Sequence, residues 1–129
     1  MFVLISTLSI KAQCSQACNL KITNKIDCKV KLLIKYTCGN GVVDLPVDLD
    51  PGNPSTPFIF NAPAILTCNC TILSVEIIQV NFVNVIGAPV NVPPGGTTVT
   101  FSPAPLAGCC PTNFAKYDGC NIELWMNCN

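Results

Sequence analysis

The chain has 129 residues, seven basic and seven acidic side chains, ten cysteines and no histidine. That length suits a single domain with one hydrophobic core, and the zero net charge excludes the basic excess that nucleic-acid binding needs. Without histidine, the chain lacks the commonest general base and metal ligand, which excludes hydrolases whose serine or cysteine nucleophile depends on one. The composition therefore predicts a small non-enzymatic domain that needs neither metal nor cofactor.

The first thirteen residues form an apolar leader. The stretch from Phe2 to Ile10, followed by Lys11-Ala12-Gln13, is typical of a bacterial secretory signal, although the usual positively charged start is missing. Nine residues are too few for a helical membrane span. If the leader is retained, its β-prone side chains suit a strand that adds to a neighbouring subunit. We expect a protein that is secreted or displayed at the cell surface, with one domain over residues 14–129.

Beyond the leader, apolar side chains recur at every second position, which is the period of a half-buried β-strand. Between Cys28 and Cys38 the even positions are apolar (Val30, Leu32, Ile34, Tyr36), while Lys29, Lys31 and Lys35 occupy odd positions. A similar alternation precedes Asn24, and the polar residues from Asn24 to Asp27 predict a hairpin between the two strands. Further strands are predicted at 42–49, 57–61, 64–70, 72–83, 85–92, 97–102 and 121–128.

These short strands are separated by eleven prolines and eight glycines, a pattern that indicates an all-β protein. We predict a disulfide-rich antiparallel β-sandwich, immunoglobulin-like, with about seven to nine strands. Residues 42–52 also resemble residues 85–95 at an offset of 43, and Leu32 and Ile34 fall on Val75 and Ile77 at the same offset. If this echo is a repeat, its copies are expected to supply corresponding strands of two facing sheets.

The cysteines predict a disulfide framework, because a small exported chain meets oxidants. At about 3.3 Å per residue, Cys28 and Cys38 would lie about 33 Å apart on one strand, whereas bonded cysteines need Cα atoms within about 7 Å. That pair is therefore excluded, as is Cys120 with Cys128 on the last strand. The register of the predicted hairpin favours Cys14 with Cys38. The ten assigned residues are Cys14, Cys18, Cys28, Cys38, Cys68, Cys70, Cys109, Cys110, Cys120 and Cys128.

Cys68 and Cys70 are expected to reach two different partners, for which Cys109 and Cys110 are candidates. The alternative for these four thiols is a structural zinc site, but neither spacing is the two-residue gap of common zinc modules. Calcium is a second alternative, because Asp48, Asp50 and Asn53 share one turn and offer oxygen ligands. Turn formation explains those three residues more simply.

Charged side chains offer little further chemistry. Five lysines lie between residues 21 and 35, and three aspartates follow before residue 51. We interpret them as a solvated strand face beside an acidic loop, and the alternative is an electropositive docking face. The two glutamates, Glu76 and Glu123, sit inside separate predicted strands, which does not suggest the paired carboxylates of a glycosidase.

Two features hint at recognition. On the last predicted strand, Ile122, Leu124 and Met126 share one face, so Trp125, the only tryptophan, lies on the polar face. An exposed indole there suits stacking on a sugar or anchoring an interface, and the alternative is that a loop covers it. The segment 102–119 is predicted to be a long loop fixed by disulfides, and it carries Phe114 and Tyr117. Trp125, Phe114 and Tyr117 are the candidate binding residues.

These observations support three hypotheses about function. The first is an extracellular structural subunit that self-assembles through strand addition or sheet-edge packing into a surface or filamentous assembly. The second is a secreted monomeric binding module for a glycan or a protein, with Trp125 and the 102–119 loop as its site. The third is a disulfide-locked inhibitor or effector. The expected partners are thus copies of the chain itself, an extracellular protein or a glycan.

Overall fold

The computed structural model describes residues 20–39, 41–62 and 70–128. The leader, the predicted strand at 64–70 apart from Cys70, and Cys14, Cys18 and Cys68 lie outside these ranges. Within them the chain forms ten strands and a short 3-10 helix at Pro105–Ala107. The strands are β1 (Lys21–Asn24), β2 (Val30–Thr37), β3 (Val42–Leu49), β4 (Phe58–Asn61), β5 (Thr71–Val80), β6 (Val83–Asn84), β7 (Val90–Asn91), β8 (Thr98–Phe101), β9 (Thr112–Asp118) and β10 (Asn121–Asn127).

The strands form two sheets. Sheet A has the order β4-β1-β10-β9-β8, and sheet B has the order β3-β2-β5-β6, with β7 also paired to β5. Neighbouring strands are antiparallel except β1 and β10, which run parallel. The all-β class and a sandwich-like arrangement are thereby confirmed. The described ranges contain ten strands rather than seven to nine, because two of them, β6 and β7, are only two residues long and the predicted loop at 102–119 contains β9.

One hydrophobic core lies between the sheets and follows the period of two in the sequence. Val30, Leu32 and Ile34 of β2 are fully buried, whereas Lys31 and Lys35 between them reach solvent. Sheet A contributes Ile22, Ile122 and Leu124 to the same core cluster. The predicted assignment of inner and outer faces is confirmed for β2 and β10.

The hairpin predicted between Asn24 and Asp27 is wrong. β1 pairs with β4 and β10 in sheet A, while β2 pairs with β3 and β5 in sheet B. The segment between them crosses from one sheet to the other instead of turning back. The Asn24 amide, which is buried, donates to the carbonyls of Asp50 and Cys28 and accepts from the Ile26 amide. Local turn chemistry of this kind serves a crossover as well as a hairpin.

The internal echo falls within a single sheet. Both copies contribute to sheet B, as β2 with β3 and as β5 with β7, so the expected placement in two facing sheets is wrong. Leu32 pairs with Ile77 and Ile34 pairs with Val75. At an offset of 43, Ile77 is the equivalent of Ile34, and Val75 is the equivalent of Leu32. The two copies are therefore related by a local twofold axis between β2 and β5.

Three disulfides join described residues. They are Cys28–Cys109, Cys38–Cys70 and Cys110–Cys128, and Cys120 is disulfide-bonded as well. The pairing of Cys14 with Cys38 is wrong because it depended on the hairpin, and Cys38 instead reaches Cys70 across sheet B. Cys70 likewise does not bond Cys109 or Cys110. The exclusion of the two same-strand pairs is confirmed, and the zinc alternative fails because Cys70, Cys109 and Cys110 are in disulfides.

Candidate functional site

Two of the three candidate binding residues come together on the outer face of sheet A. Trp125 of β10 lies directly opposite Phe114 of β9 in the antiparallel register. Their rings stack with centroids 5.6 Å apart and planes inclined by 22°. Both side chains are half-buried. Because Phe114 belongs to a strand, the prediction that it lies in a long loop is wrong, and its position is fixed by the sheet.

Tyr117 is separated from this aromatic pair. It lies opposite Ile122 and packs against the core, so it faces the interior of the sandwich. Burial raises the pKa of its phenol above the ordinary value of 10.0. Tyr117 therefore has a structural position, and the structure does not bring it to the surface that Trp125 and Phe114 share.

A polar depression adjoins the aromatic pair on the same strands. Its volume is about 310 Å³. Glu123 lies two residues before Trp125, and Lys116 lies two residues after Phe114, so their side chains share the outer face with the rings. The polar side chains that line the depression are Lys21, Thr23, Lys116, Asp118, Asn121 and Glu123. We call the aromatic pair and this depression together the sheet A platform.

The platform carries both signs of charge. Lys25 Nζ lies 3.0 Å from Glu123 Oε2 at its margin, and the depression adds Lys21, Lys116 and Asp118. Carboxylates accept hydrogen bonds and ammonium groups donate them, so a ligand rich in hydroxyl groups would find both kinds of partner. The mixture suits a neutral polar ligand better than a strongly charged one.

The lysine cluster of the sequence is divided between the two faces of the sandwich. Lys21 and Lys25 belong to sheet A, whereas Lys31 and Lys35 project from β2 of sheet B. Lys31 lies 3.8 Å from Asp48, and Lys35 lies 3.7 Å from Glu76. Because these lysines neither share a face nor lack acidic neighbours, the structure favours the solvated strand face over an electropositive docking face.

The acidic candidates do not converge. Glu76 and Glu123 lie on different sheets and form ion pairs with Lys35 and Lys25, so they do not flank a common cleft. Asp50 lies 3.8 Å from Lys29, and Asn53 Oδ1 accepts hydrogen bonds from the Ser55 and Thr56 amides. Across residues 20–39, 41–62 and 70–128, no group of three or more Cys, Asp or Glu side chains is arranged to hold a metal ion.

Sequence reasoning missed the polar half of the platform. Its side chains come from the adjacent strands β9 and β10 and from β1, which is distant from them in sequence and pairs in parallel with β10. The alternation along β10 placed Glu123 and Trp125 on one face correctly. The sequence does not indicate that β9 sets Lys116 and Asp118 beside them, because residues 112–118 fall within the predicted loop at 102–119.

Comparisons with protein-family models, curated proteins and solved structures found no match. Within the described part of the chain, no helix has the length and apolar character needed to cross a membrane. The function must therefore be argued from the geometry of the sheet A platform and the remaining surface.

Proposed function

We propose that this protein is a non-enzymatic extracellular recognition module that binds a glycan on the sheet A platform. The observation that carries the proposal is the stacked pair of Trp125 and Phe114 beside the polar depression. A sugar ring presents an apolar C–H face, which suits an aromatic surface, and hydroxyl groups, which suit carboxylate, amide and ammonium side chains. The three disulfides, which are typical of oxidising compartments, support a secreted or cell-surface location.

The architecture supports the same function. The platform lies on the regular strands β9 and β10, whose backbone hydrogen bonds fix the spacing of the side chains. A site on strands is held more rigidly than one on loops, so less conformational freedom is lost when a ligand binds. A polar, open depression also suits a hydrated oligosaccharide better than an apolar small molecule, which needs an apolar enclosed pocket. The immunoglobulin-like classification stays a prediction.

Self-assembly into a structural subunit is the second candidate function. It is favoured by the zero net charge and by exposed apolar side chains such as Val42 and Leu73. The described sheet edges favour it less. β3 is the longest edge strand, and Pro46 at its centre offers no N–H to an added strand. The edges of sheet A, β4 and β8, are only four residues long, and β6 and β7 at the other edge of sheet B have two residues each. Addition of the leader as a strand stays a prediction.

The fluorescence of Trp125 provides a direct test, because it is the chain's only tryptophan. The protein is titrated with soluble cello-, chito-, manno- and xylo-oligosaccharides while its emission is followed. We expect a saturable change with at least one series. Asn121→Ala should weaken that binding about two- to tenfold by calorimetry, the effect of losing a hydrogen bond to a bound polar ligand. This substitution leaves the ring pair intact, so a loss of binding cannot be attributed to lost stacking.

A matched control is Leu73→Ser, which removes an exposed side chain from sheet B and should leave sugar affinity unchanged. Trp125→Ala, measured by calorimetry, should abolish binding. The proposal is contradicted if folded protein responds to none of the four series, or if Asn121→Ala and Trp125→Ala bind as tightly as the wild type. Concentration-dependent growth of the particle in light scattering would favour the structural subunit instead.

A further inference from the structure

Three large apolar side chains project from loops at one end of the sandwich. Leu106 on the 3-10 helix is 90% exposed, Phe82 in the turn between β5 and β6 is 72% exposed, and Ile86 after β6 is 61% exposed. We call these three residues the apolar tip. They are the three most exposed large hydrophobic side chains in the described ranges apart from Val42, which lies at the other end of β2 and β3.

Hydrogen bonds hold the loops of the tip against one another. The Asn81 side-chain amide donates to the Ala107 carbonyl at 2.8 Å, and the Ile86 amide donates to the Ser102 carbonyl at 3.0 Å. The disulfide Cys28–Cys109 joins the segment after the 3-10 helix to the start of β2. The tip is therefore fixed to the sandwich core, and its side chains are exposed because of the fold rather than because of loop motion.

The backbone at Phe82 indicates that the exposed ring is not there for folding. Asn81 and Phe82 have φ of 51° and 70° and connect the paired residues Val80 and Val83. Such a two-residue turn favours glycine at its second position, since a bulky residue is strained at positive φ. A phenylalanine kept in a strained and exposed position points to a role in contact with another surface.

The small number of exposed apolar residues at the tip fits a lipid surface better than a protein partner. A stable protein interface needs about 800 Å² and about 20–30 residues on each side, with a complementary shape. The tip offers only three large exposed apolar side chains, on the segments 81–86 and 105–107. A bilayer demands no shape complementarity, and its interfacial region accepts isolated apolar side chains whose removal from water favours binding.

The tip has no positive excess of charge, which specifies the kind of lipid. Lys29 Nζ lies 5.3 Å from the centre of the Phe82 ring and 3.8 Å from Asp50, and Asp27 nearby is exposed. These groups give no positive excess that would attract anionic headgroups. Zwitterionic phospholipid is thus the surface that matches the tip.

We propose that the apolar tip inserts into the interfacial region of a zwitterionic phospholipid bilayer and docks the domain on a membrane. Phe82, Ile86 and Leu106 contribute the buried apolar surface, and the Lys29–Asp50 pair lies beside the headgroups. The tip is at the end of the sandwich, and the sheet A platform is on its face, so the two sites are separate. The inference does not rest on the glycan proposal.

The test is co-sedimentation of the full chain with phosphatidylcholine vesicles. We expect binding that persists when the salt concentration is raised and that does not increase when phosphatidylserine is added. Leu106→Ser and Phe82→Ser should each lower the partition coefficient about tenfold, which is the effect of removing one buried apolar side chain. Every variant keeps residues 1–13, so a loss specific to these substitutions belongs to the tip.

Leu73→Ser is the matched control, because Leu73 is an exposed leucine toward the other end of β5. It should bind vesicles like the wild type, as should Asn121→Ala, which separates this test from the glycan test. The proposal is overturned if folded wild type stays in the supernatant, or if Leu106→Ser and Phe82→Ser bind unchanged. It is equally overturned if binding requires phosphatidylserine, or if the tip variants convert an oligomer into a monomer.

Discussion

The positive φ of Phe82 is unfavourable for folding, although the residue carries one of the most exposed apolar side chains. At positive φ a side chain with a Cβ is strained by about 1–2 kcal/mol, whereas glycine is not. Replacing Phe82 by glycine would relieve this strain, but part of the gain in stability is offset because glycine makes the unfolded chain more flexible. We expect Phe82→Gly to raise the free energy of unfolding by about 0.5–1 kcal/mol, measured by urea denaturation.

Phe82→Ala is the informative control for that prediction. It removes the exposed ring as Phe82→Gly does, but it keeps the Cβ at a φ of 70°. If strain is the cause, alanine gives no gain in stability and glycine does. Equal stabilisation by both substitutions would instead trace the effect to the exposed ring and contradict the strain argument.

Tyr117 makes stability sensitive to alkaline pH. Burial raises the pKa of its phenol in the folded state, so the folded protein holds this proton more tightly than the unfolded chain does. The resulting contribution to stability is complete below about pH 10, the ordinary pKa, and is lost as the pH rises through the folded pKa. In Tyr117→Phe, we expect a smaller fall of the urea midpoint between neutral pH and about pH 11. An unchanged alkaline slope would contradict this assignment.

At the scale of elements, the crossover from β1 to β2 depends on Asn24. This side chain is fully buried and makes three hydrogen bonds, to the Asp50 carbonyl, the Cys28 carbonyl and the Ile26 amide. Removing it leaves buried backbone groups unsatisfied. We expect Asn24→Ala to lower the free energy of unfolding by about 2–4 kcal/mol, measured by urea denaturation.

Asn53 offers a matched comparison for Asn24. Its Oδ1 also accepts backbone hydrogen bonds, from Ser55 at 3.0 Å and from Thr56 at 2.8 Å, but these bonds are exposed. Water can replace them, so Asn53→Ala should cost less than about 1 kcal/mol. Similar losses for the two variants would show that burial is not what makes Asn24 important.

The same elements show how far the sequence could predict this fold. Strands whose inner faces are large and apolar, such as β2 and β10, were found with the correct faces. β9 was missed because its inner face carries Asn113 and Ala115, which are buried, while Phe114 faces outward. In β9 the large apolar side chain thus faces outward and small or polar side chains face the core, which is the reverse of the usual alternation. The hairpin predicted after Asn24 was wrong for a different reason, since a local turn does not reveal which sheet the next strand joins.

These limits also explain the partial prediction of the site. The period of two located Trp125 on the outer face of β10, which the structure confirms. Its stacking partner Phe114 lies on β9, whereas the sequence predicted a loop there, and its role in binding stays a prediction. The sequence cannot separate Tyr117 from Phe114, because a residue in a predicted loop has no inner or outer face. Only the register of β9 with β10 shows that Tyr117 points inward.

At the scale of the whole molecule, the echo and the disulfides organise the two sheets differently. The local twofold axis relates β2 and β5, so the sequence repeat gives sheet B an approximate internal symmetry. β7 is shorter than its equivalent β3, because Gly87 adopts φ of 77° where β3 has Asp44 in extended backbone, whereas the proline before the paired residues is common to both copies as Pro46 and Pro89. The Cys38–Cys70 disulfide crosses from β2 to β5 within sheet B, whereas Cys110–Cys128 connects the start of β9 to the end of β10 in sheet A.

Of the three disulfides between described residues, Cys28–Cys109 closes the longest loop and therefore allows a graded prediction. The bonded residues are 81 apart in sequence, against 32 for Cys38–Cys70 and 18 for Cys110–Cys128. On the chain-entropy model these loops correspond to stabilisation of about 4.5, 3.7 and 3.2 kcal/mol. Replacing each cysteine pair by alanine under oxidising conditions should therefore lower the free energy of unfolding most for Cys28–Cys109, less for Cys38–Cys70 and least for Cys110–Cys128, as measured by urea unfolding. The loss of Cys28–Cys109 should also weaken vesicle binding, since this bond anchors the loop that carries Leu106. If removal of Cys110–Cys128 were the most damaging, native-state contacts rather than loop closure would determine what each bond contributes.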